Sequence, residues 1–294
     1  KPENIILRNG YSSDTPPEAV VLDFDLSWHK GASELSVAHH TRPHGYAAPE
    51  QRRLTPRKGE STRSTAVDVF GFGMLGFFLF TGNAPSENEH RFANYREHIE
   101  TRIDRNFYSE LKSIPNYLAE TVCLCTRDEQ KDRISLATAI ERLRVVESVM
   151  RRDQFDITNP LVLREIASRL DKSARIDFED FERKLSLTFV DSSKSVELFL
   201  LSFRLQPAIG IKLTKSRGEA DNRNLTKYLP QAKDRAMKVI KTIAGITNVK
   251  AELRQSEIEI EFEWFPGHHV SLNQIDDLVN KLIDTISQVS LTHP

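Results

Sequence analysis

Two polar residues beside short apolar runs are the first candidates for chemistry in this chain. Asn4 directly precedes the run Ile5-Ile6-Leu7, and Asp23 directly follows a second run, Val20-Val21-Leu22. If the two runs form neighbouring strands, the amide of Asn4 and the carboxylate of Asp23 can share one divalent cation. Mg²⁺ favours such oxygen ligands, keeps several waters and binds substrate phosphates together with one or two protein groups. The pair therefore predicts a magnesium site.

Further motifs follow along the first half of the chain. They are Gly45-Tyr46-Ala47-Ala48-Pro49-Glu50, Asp68-Val69-Phe70-Gly71-Phe72-Gly73, Thr81-Gly82-Asn83-Ala84-Pro85, and the segment from Cys123-Leu124 to Arg133-Ile134-Ser135. The apolar run from Val69 to Phe80 predicts a helix buried on all sides, and Gly82 and Pro85 are typical of its end. Together with Lys1-Pro2-Glu3-Asn4 and Asp23-Phe24-Asp25, this order resembles the C-terminal lobe of protein kinases of the Ser/Thr, bacterial-like type, over residues 1 to 148.

The resemblance assigns catalytic roles to three residues. Asn4 and Asp23 would hold Mg²⁺ or Mn²⁺, which bridges the phosphates of the substrate ATP. Lys1 would lie near the γ-phosphate and offset the negative charge that develops during transfer. The expected partners are ATP and a protein substrate that carries the accepting hydroxyl.

The resemblance also assigns structural roles to three residues. Glu50 would close the activation segment and form an ion pair with Arg133, and loss of either partner would leave a buried charge unpaired. Asp68 would begin the buried central helix and accept hydrogen bonds from the backbone of the catalytic loop. The segment before Arg133 departs from the family pattern, because Asp128 to Arg133 is one residue longer and lacks the proline.

Two hypotheses about activity follow. The first is a serine/threonine kinase. By the family pattern its catalytic Asp would fall two residues before Lys1, and its Gly-rich loop and strand Lys would lie further upstream. The 294 residues alone are therefore expected to be inactive. The alternative is a pseudokinase that binds nucleotide or a partner as a scaffold. Asp25 in place of the family's glycine, and Pro43 where a threonine is usual, favour this alternative.

Composition narrows the classes of partner. The formal net charge is −1 and the charged fraction is 28%, so no general attraction to nucleic acid or to anionic membranes is expected. The longest apolar run is too short to span a bilayer. Cys123 and Cys125 are interpreted as plain buried thiols of a cytoplasmic protein. The histidines 39, 40 and 44 are interpreted as a solvent-facing loop cluster.

The second half changes its hydrophobic period. Asn159 and Pro160 predict the start of a helix after a linker, and another short helix is expected near 178–184. Beyond it, period-two patterns predict strands, and Ser271 with Gln274 predicts a capping box that opens a last helix. The glutamates of 257–263 are interpreted as a solvated strand face.

The resulting expectation is an α+β protein: a mostly helical kinase-like C-lobe followed by a small α+β sandwich of order β-β-α-β-β-α. The expected boundaries are 1–150 for the lobe, 151–190 for a helical linker and 191–294 for an accessory domain. The accessory domain is expected to have a regulatory or binding role, with self-association through 191–294 as one form of it.

Overall fold

The computed structural model describes residues 1–8, 18–22, 45–53, 57–103, 111–150, 152–170, 174–179, 183–189, 194–201, 207–216, 225–254 and 257–289. The chain divides into two compact units, one formed by Lys1–Phe107 with Pro115–Arg144 and the other by Tyr108–Ile114 with Val145–Pro294. It has the α+β composition expected from the sequence, with antiparallel sheets.

The first unit begins with a hairpin and continues as helices. Its elements are β1 (Ile5–Arg8), β2 (Glu18–Val21), α1 (Pro49–Arg52), α2 (Thr65–Thr81), α3 (Tyr95–Arg102), α4 (Ser113–Cys125) and α5 (Leu136–Val149), and the division between the units falls within α4 and α5. β1 and β2 pair antiparallel, with Ile5 opposite Val21.

The long apolar helix predicted from the sequence is α2, but it is not buried on all sides as expected, since Leu79 is 64% exposed. Phe70, Met74 and Phe77 are at most 1% exposed along it, and Phe70 and Met74 pack with Ala48 and Val67 in one cluster. The helix ends at Gly82, whose backbone is left-handed at φ 70° and whose N–H donates to the carbonyl of Phe78 at 2.8 Å. A residue without a Cβ adopts this conformation at little cost, which is why the glycine stops the helix here.

The second unit contains a six-stranded antiparallel sheet with helices packed against it. Its elements are β3 (Gln154–Asp156), α6 (Pro160–Leu170), β4 (Ala174–Glu179), β5 (Lys184–Phe189), β6 (Lys194–Leu201), β7 (Ala208–Ser216), α7 (Leu225–Ile240), β8 (Ile246–Arg254), β9 (Glu257–Trp264), β10 (His269–Ser271) and α8 (Leu272–Val289). The strand order of the large sheet is β4-β5-β6-β7-β9-β8, and β3 pairs separately with β10.

One face of the large sheet forms the core of this unit. Leu185, Leu198, Ile211 and Phe262 lie in register on neighbouring strands and are at most 2% exposed. α6 packs on β5 and β6, α7 on β8, and α8 on α6 and α7. Apart from the short β10 between β9 and α8, the order from β6 to α8 is the β-β-α-β-β-α arrangement expected from the sequence.

The expected helical linker over 151–190 is correct for α6, which begins at Pro160, and wrong beyond it. β4 and β5 belong to the large sheet, and the segment 174–179 is a strand where a helix was expected near 178–184. The physical reason lies in β5, where Leu185 and Leu187 are buried while Lys184 and Ser186 are not, a period of two that suits a strand. The second unit therefore extends well before residue 191.

Candidate functional site

The hairpin places the first expected site residue. Pro2–Asn4 forms a 3-10 turn in which the N–H of Asn4 donates to the carbonyl of Lys1 at 3.0 Å. The N–H of Leu22 donates to the carbonyl of Asn4 at 2.7 Å, so the start of β1 and the residue after β2 are hydrogen-bonded. Asn4 is half-buried and Lys1 is exposed.

The other expected metal ligand falls outside the part of the chain that the structure describes. Asp23 follows Leu22 in sequence, and 23–44, which also includes Asp25, Pro43 and the three loop histidines, lies outside the described residues. Within the described residues, no group of three or more His, Cys, Asp or Glu side chains could hold a metal ion.

The ion pair expected between Glu50 and Arg133 is present. Nη1 and Nη2 of Arg133 each donate to one carboxylate oxygen of Glu50 at 2.7 Å, and both side chains are 0% exposed. Two charges taken out of water in this way are tolerated only when their geometry and remaining hydrogen bonds are complete. The contact ties α1 to the segment before α5 across 83 positions of sequence.

All donors of the Arg133 guanidinium have acceptors. Besides Glu50, Nη1 donates to the carbonyl of Ala66 at 2.9 Å, Nη2 to that of Asp128 at 3.3 Å, and Nε to that of Arg127 at 2.8 Å. The guanidinium also lies 5.0 Å from the centre of the Phe70 ring. Because a guanidinium has five N–H donors, this set leaves none of them unsatisfied in the interior.

Gln130 joins the same site, and no sequence pattern indicated it. Its Nε2 lies 2.8 Å from Oε1 of Glu50, from the carbonyl of Ser61 and from the hydroxyl of Ser64, the residue that precedes α2. The amide therefore connects α1, the loop after it and the start of α2. Gln130 lies three residues before Arg133, so the same short segment supplies two side chains that bind Glu50.

A second ionic cluster surrounds Asp128. Its carboxylate accepts from Nη2 of Arg91 at 2.7 Å and from Nη2 of Arg53 at 3.4 Å, and Arg53 also binds Glu60 at 2.6 Å. Burial raises the pKa of Asp128, but hydrogen bonds from Arg91 and His90 outweigh it and hold that pKa below its usual value. The cluster fastens the loop after α1 to the same segment that carries Arg133.

His90 is the buried neutral member of this cluster. Its side chain is 1% exposed, its Nε2 lies 3.4 Å from Oδ1 of Asp128, and its ring meets Phe70 edge-on at 5.1 Å. Burial lowers the pKa of His90, and the nearby charges of Arg52 and Arg91 act in the same direction. The imidazole is therefore uncharged at neutral pH.

Asp68 occupies the first turn of α2, as expected, but its carboxylate makes no hydrogen bond to another described residue. Its side chain reaches solvent, while partial burial raises the pKa of its carboxyl. Tyr46 packs on the cluster at the start of the same helix, and the pKa of its phenol is raised by burial and by the charge of Glu3.

The cysteines and the glutamate-rich strand singled out from the sequence have structural explanations. Burial raises the pKa of Cys123 to about 11 and that of Cys125 to about 12, so both are un-ionised thiols. Glu259 of the glutamate-rich strand is paired with Lys212 at 2.5 Å, and this hydrogen bond lowers the pKa of Glu259. Among the described residues, no helix combines the length and apolar character that crossing a membrane requires.

Comparison of the chain with protein-family models, with curated proteins and with solved structures finds no match.

Proposed function

We propose that the chain forms the C-terminal lobe and an accessory domain of a serine/threonine protein kinase that transfers the γ-phosphate of ATP to protein hydroxyls. The observation that carries this proposal is the buried ion pair between Glu50 and Arg133. The pair was expected from two motifs that lie far apart in sequence. A bidentate contact between these motifs supports the interpretation that the ordered set of motifs is meaningful, and it argues against chance matches.

The hairpin supports the assignment of the metal ligands. Leu22 is bonded to Asn4 through the backbone, and Leu22 is the residue before Asp23 in sequence. An amide and a carboxylate oxygen are donors that suit Mg²⁺, or Mn²⁺ in its place. When bound, the metal would neutralise charge on the phosphates of ATP.

In this proposal the chain's own residues act by position and charge. Asn4 and Asp23 would supply oxygen ligands to the metal, and the ammonium of Lys1 would offset negative charge on the phosphoryl group. Such electrostatic stabilisation is the main source of catalysis in phosphoryl transfer, since the protein does little covalent chemistry in that reaction. Glu50 and Arg133 hold the end of the activation segment in place and touch no substrate.

The test compares phosphotransfer by the wild type and by Asp23→Asn, in a protein in which the catalytic Asp, the Gly-rich loop and the strand Lys precede Lys1. We expect loss of about 100-fold or more in kcat, as for removal of one preorganised electrostatic group. Glu257→Gln, on the accessory domain, is the control. Equal activity of wild type and Asp23→Asn would exclude the metal assignment.

A pseudokinase is the second candidate, and Asp25 and Pro43 favour it. Asp25 replaces a glycine that permits unusual backbone conformations, and Pro43 cannot donate a side-chain hydrogen bond. This candidate predicts that the same protein binds ATP without transferring phosphate. Calorimetric binding of ATP together with absent transfer to any protein hydroxyl, its own included, would favour the scaffold over the enzyme.

A further inference from the structure

Strand β8 forms one edge of the six-stranded sheet, and no strand of the described residues pairs with its outer side. It pairs with β9 only, and among the described residues no backbone group of 246–254 bonds to any other segment. An edge strand of this length presents a row of unpaired N–H and C=O groups to another chain. Leu253 on this strand is 39% exposed, although its neighbour on β9, Ile258, is 1% exposed.

We propose that β8 pairs antiparallel with β8 of a second copy of this chain, with Ala251 at the two-fold axis. In this register Lys250 faces Glu252 of the second copy, and Val249 faces its Leu253. A two-fold contact repeats each pair, so the interface contains two opposite-charge pairs and two apolar pairs. Directly opposed pairs of both kinds stabilise antiparallel strands.

The charges of this edge fit a second copy better than an unrelated strand. Glu252 is 66% exposed at its side chain and lies opposite Glu259 within its own sheet, a like-charge pair that Arg254 bridges at 3.4 and 3.5 Å. A lysine on an edge strand normally discourages pairing with other chains. In the proposed register each Lys250 lies opposite the carboxylate of Glu252. Lys250 therefore disfavours pairing with an unrelated strand but favours pairing with a second copy of β8.

The bulge in β8 limits the interface to the end of the strand. The register with β9 shifts between Thr247 and Lys250, where Asn248 has a φ of 52°, and pairing is regular from Lys250 to Arg254. Bulges twist an edge and end its pairing. The contact is therefore short: Ala251 and the Lys250–Glu252 pairs lie on the regular part of the strand, and Val249 lies next to the bulge at its end. Pairing of this kind joins the two sheets with their helices on the same side.

The first test measures the mass of the full chain by sedimentation equilibrium as concentration rises. We expect a monomer–dimer equilibrium that Lys250→Glu and Glu252→Lys each weaken about tenfold or more, because two attractive pairs become repulsive. The double variant carrying both changes restores the attraction with reversed signs, so its dissociation constant returns toward that of the wild type. Lys238→Glu, an exposed charge on α7, is the control and leaves dimerisation unchanged.

A wild-type chain that stays monomeric at every concentration would overturn the proposal, and so would a folded double variant that does not dimerise. Far-ultraviolet circular dichroism checks folding, since Lys250→Glu also places a carboxylate opposite Glu261 in its own sheet.

A second test uses the symmetry of the contact directly. In Ala251→Cys the two new thiols face each other across the axis, at the Cα separation of about 4.5 to 5.5 Å that opposed strand residues have and that a disulfide requires. Mild oxidation therefore produces a covalent dimer, whereas Thr247→Cys, further along the same strand, does not pair with itself. Equal cross-linking of both variants, or of neither, contradicts the register.

Discussion

At the scale of single residues, the buried pair of Glu50 and Arg133 is stable because nothing around it is left unsatisfied. Every N–H of the guanidinium has an acceptor, and Glu50 receives a further donor from Gln130. The attraction between two such charges roughly offsets the cost of removing them from water. The pair therefore joins α1 to the segment before α5 while adding little net stability.

Arg133→Met tests this balance. The variant leaves the carboxylate of Glu50 buried without its charged partner, and we expect the free energy of unfolding to fall by about 3–5 kcal/mol. The double variant Glu50→Leu with Arg133→Met regains most of that loss, because no charge remains buried. Urea denaturation followed by circular dichroism measures both, and Arg57→Ala, which breaks the exposed pair with Glu129, is the control that costs about 1 kcal/mol or less. A double variant no more stable than the single one would contradict this account.

His90 makes the first unit sensitive to mild acid. Burial holds its pKa in the folded protein below the usual 6.5, so the unfolded chain takes up a proton that the folded chain does not. Stability is therefore full above about pH 6.5 and declines as the pH falls below that value. Asp128, Arg52 and Arg91 face the imidazole; the carboxylate favours its protonation and the two arginines oppose it.

The matching variant is His90→Gln, which keeps a polar group near Asp128 but does not titrate. We expect its melting temperature to stay level between pH 6.5 and 5, where the wild type declines. The carboxyl groups of Glu60 and Asp128, whose pKa values are lowered, act in a separate range below about pH 4.5. A wild-type profile that is flat over the upper range would show that His90 is not the titrating group.

At the scale of elements, local signals in the sequence were most accurate where they act within one turn. The capping box predicted at Ser271 and Gln274 is confirmed: the N–H of Ser271 donates to Oε1 of Gln274 at 2.9 Å, and the N–H of Gln274 donates to the Ser271 hydroxyl at 3.4 Å. These bonds satisfy donors that the first turn of α8 would otherwise leave unpaired. Buried Ile275 and Leu278 follow on the face toward the core.

Ser271→Ala removes this cap. We expect the free energy of unfolding of the second unit to fall by about 1 kcal/mol, the usual contribution of such a residue. Ser287→Ala near the other end of α8 is the matched control, because its exposed hydroxyl bonds only to the carbonyl of Asp284 and its loss is nearly neutral. Hydrogen exchange along α8 compares the two, and equal protection in both variants would rule out a role for the cap.

At the scale of the whole molecule, the second unit is discontinuous in sequence. Tyr108–Ile114 belongs to it, and within it the N–H of Ser113 donates at 2.9 Å to Oε2 of Glu165, a residue that is 0% exposed. Arg169 binds the other carboxylate oxygen at 2.7 Å. A fragment of residues 145–294 therefore lacks one of the two partners of a buried carboxylate.

We expect that fragment to fold but to be less stable than the same unit in the full chain by about 1–3 kcal/mol, the cost of an unsatisfied buried group. Hydrogen exchange of α6 in the two proteins makes the comparison. Adding residues 108–114 as a separate peptide should restore part of the protection of α6, and a peptide of the same composition in scrambled order should not. Equal protection of α6 in the fragment and the full chain would contradict the assigned role of Ser113.

The sequence by itself determined the features that depend on neighbours a few residues apart. The apolar run of α2, its end at Gly82, the alternation of β9 and the capping box of α8 are all local patterns that backbone geometry repeats. The ion pair of Glu50 and Arg133 was also predictable, although only through resemblance to an ordered set of motifs. A buried charge needs a partner, and the order of the motifs indicated that Arg133 is the partner of Glu50.

Only the tertiary structure decided the rest. Three features depend on segments distant in sequence: β4 and β5 join the large sheet, Gln130 reaches Glu50, and β8 lies at an edge of the sheet. The period-two pattern of β5 was present in the sequence but short. Such a pattern indicates which face of a strand is buried, but it does not indicate which other element covers that face. Strand pairing and the hydrogen bonding of buried donors are properties of the folded chain. Their energy comes from partners that are distant in sequence, so a short stretch of sequence does not reveal them.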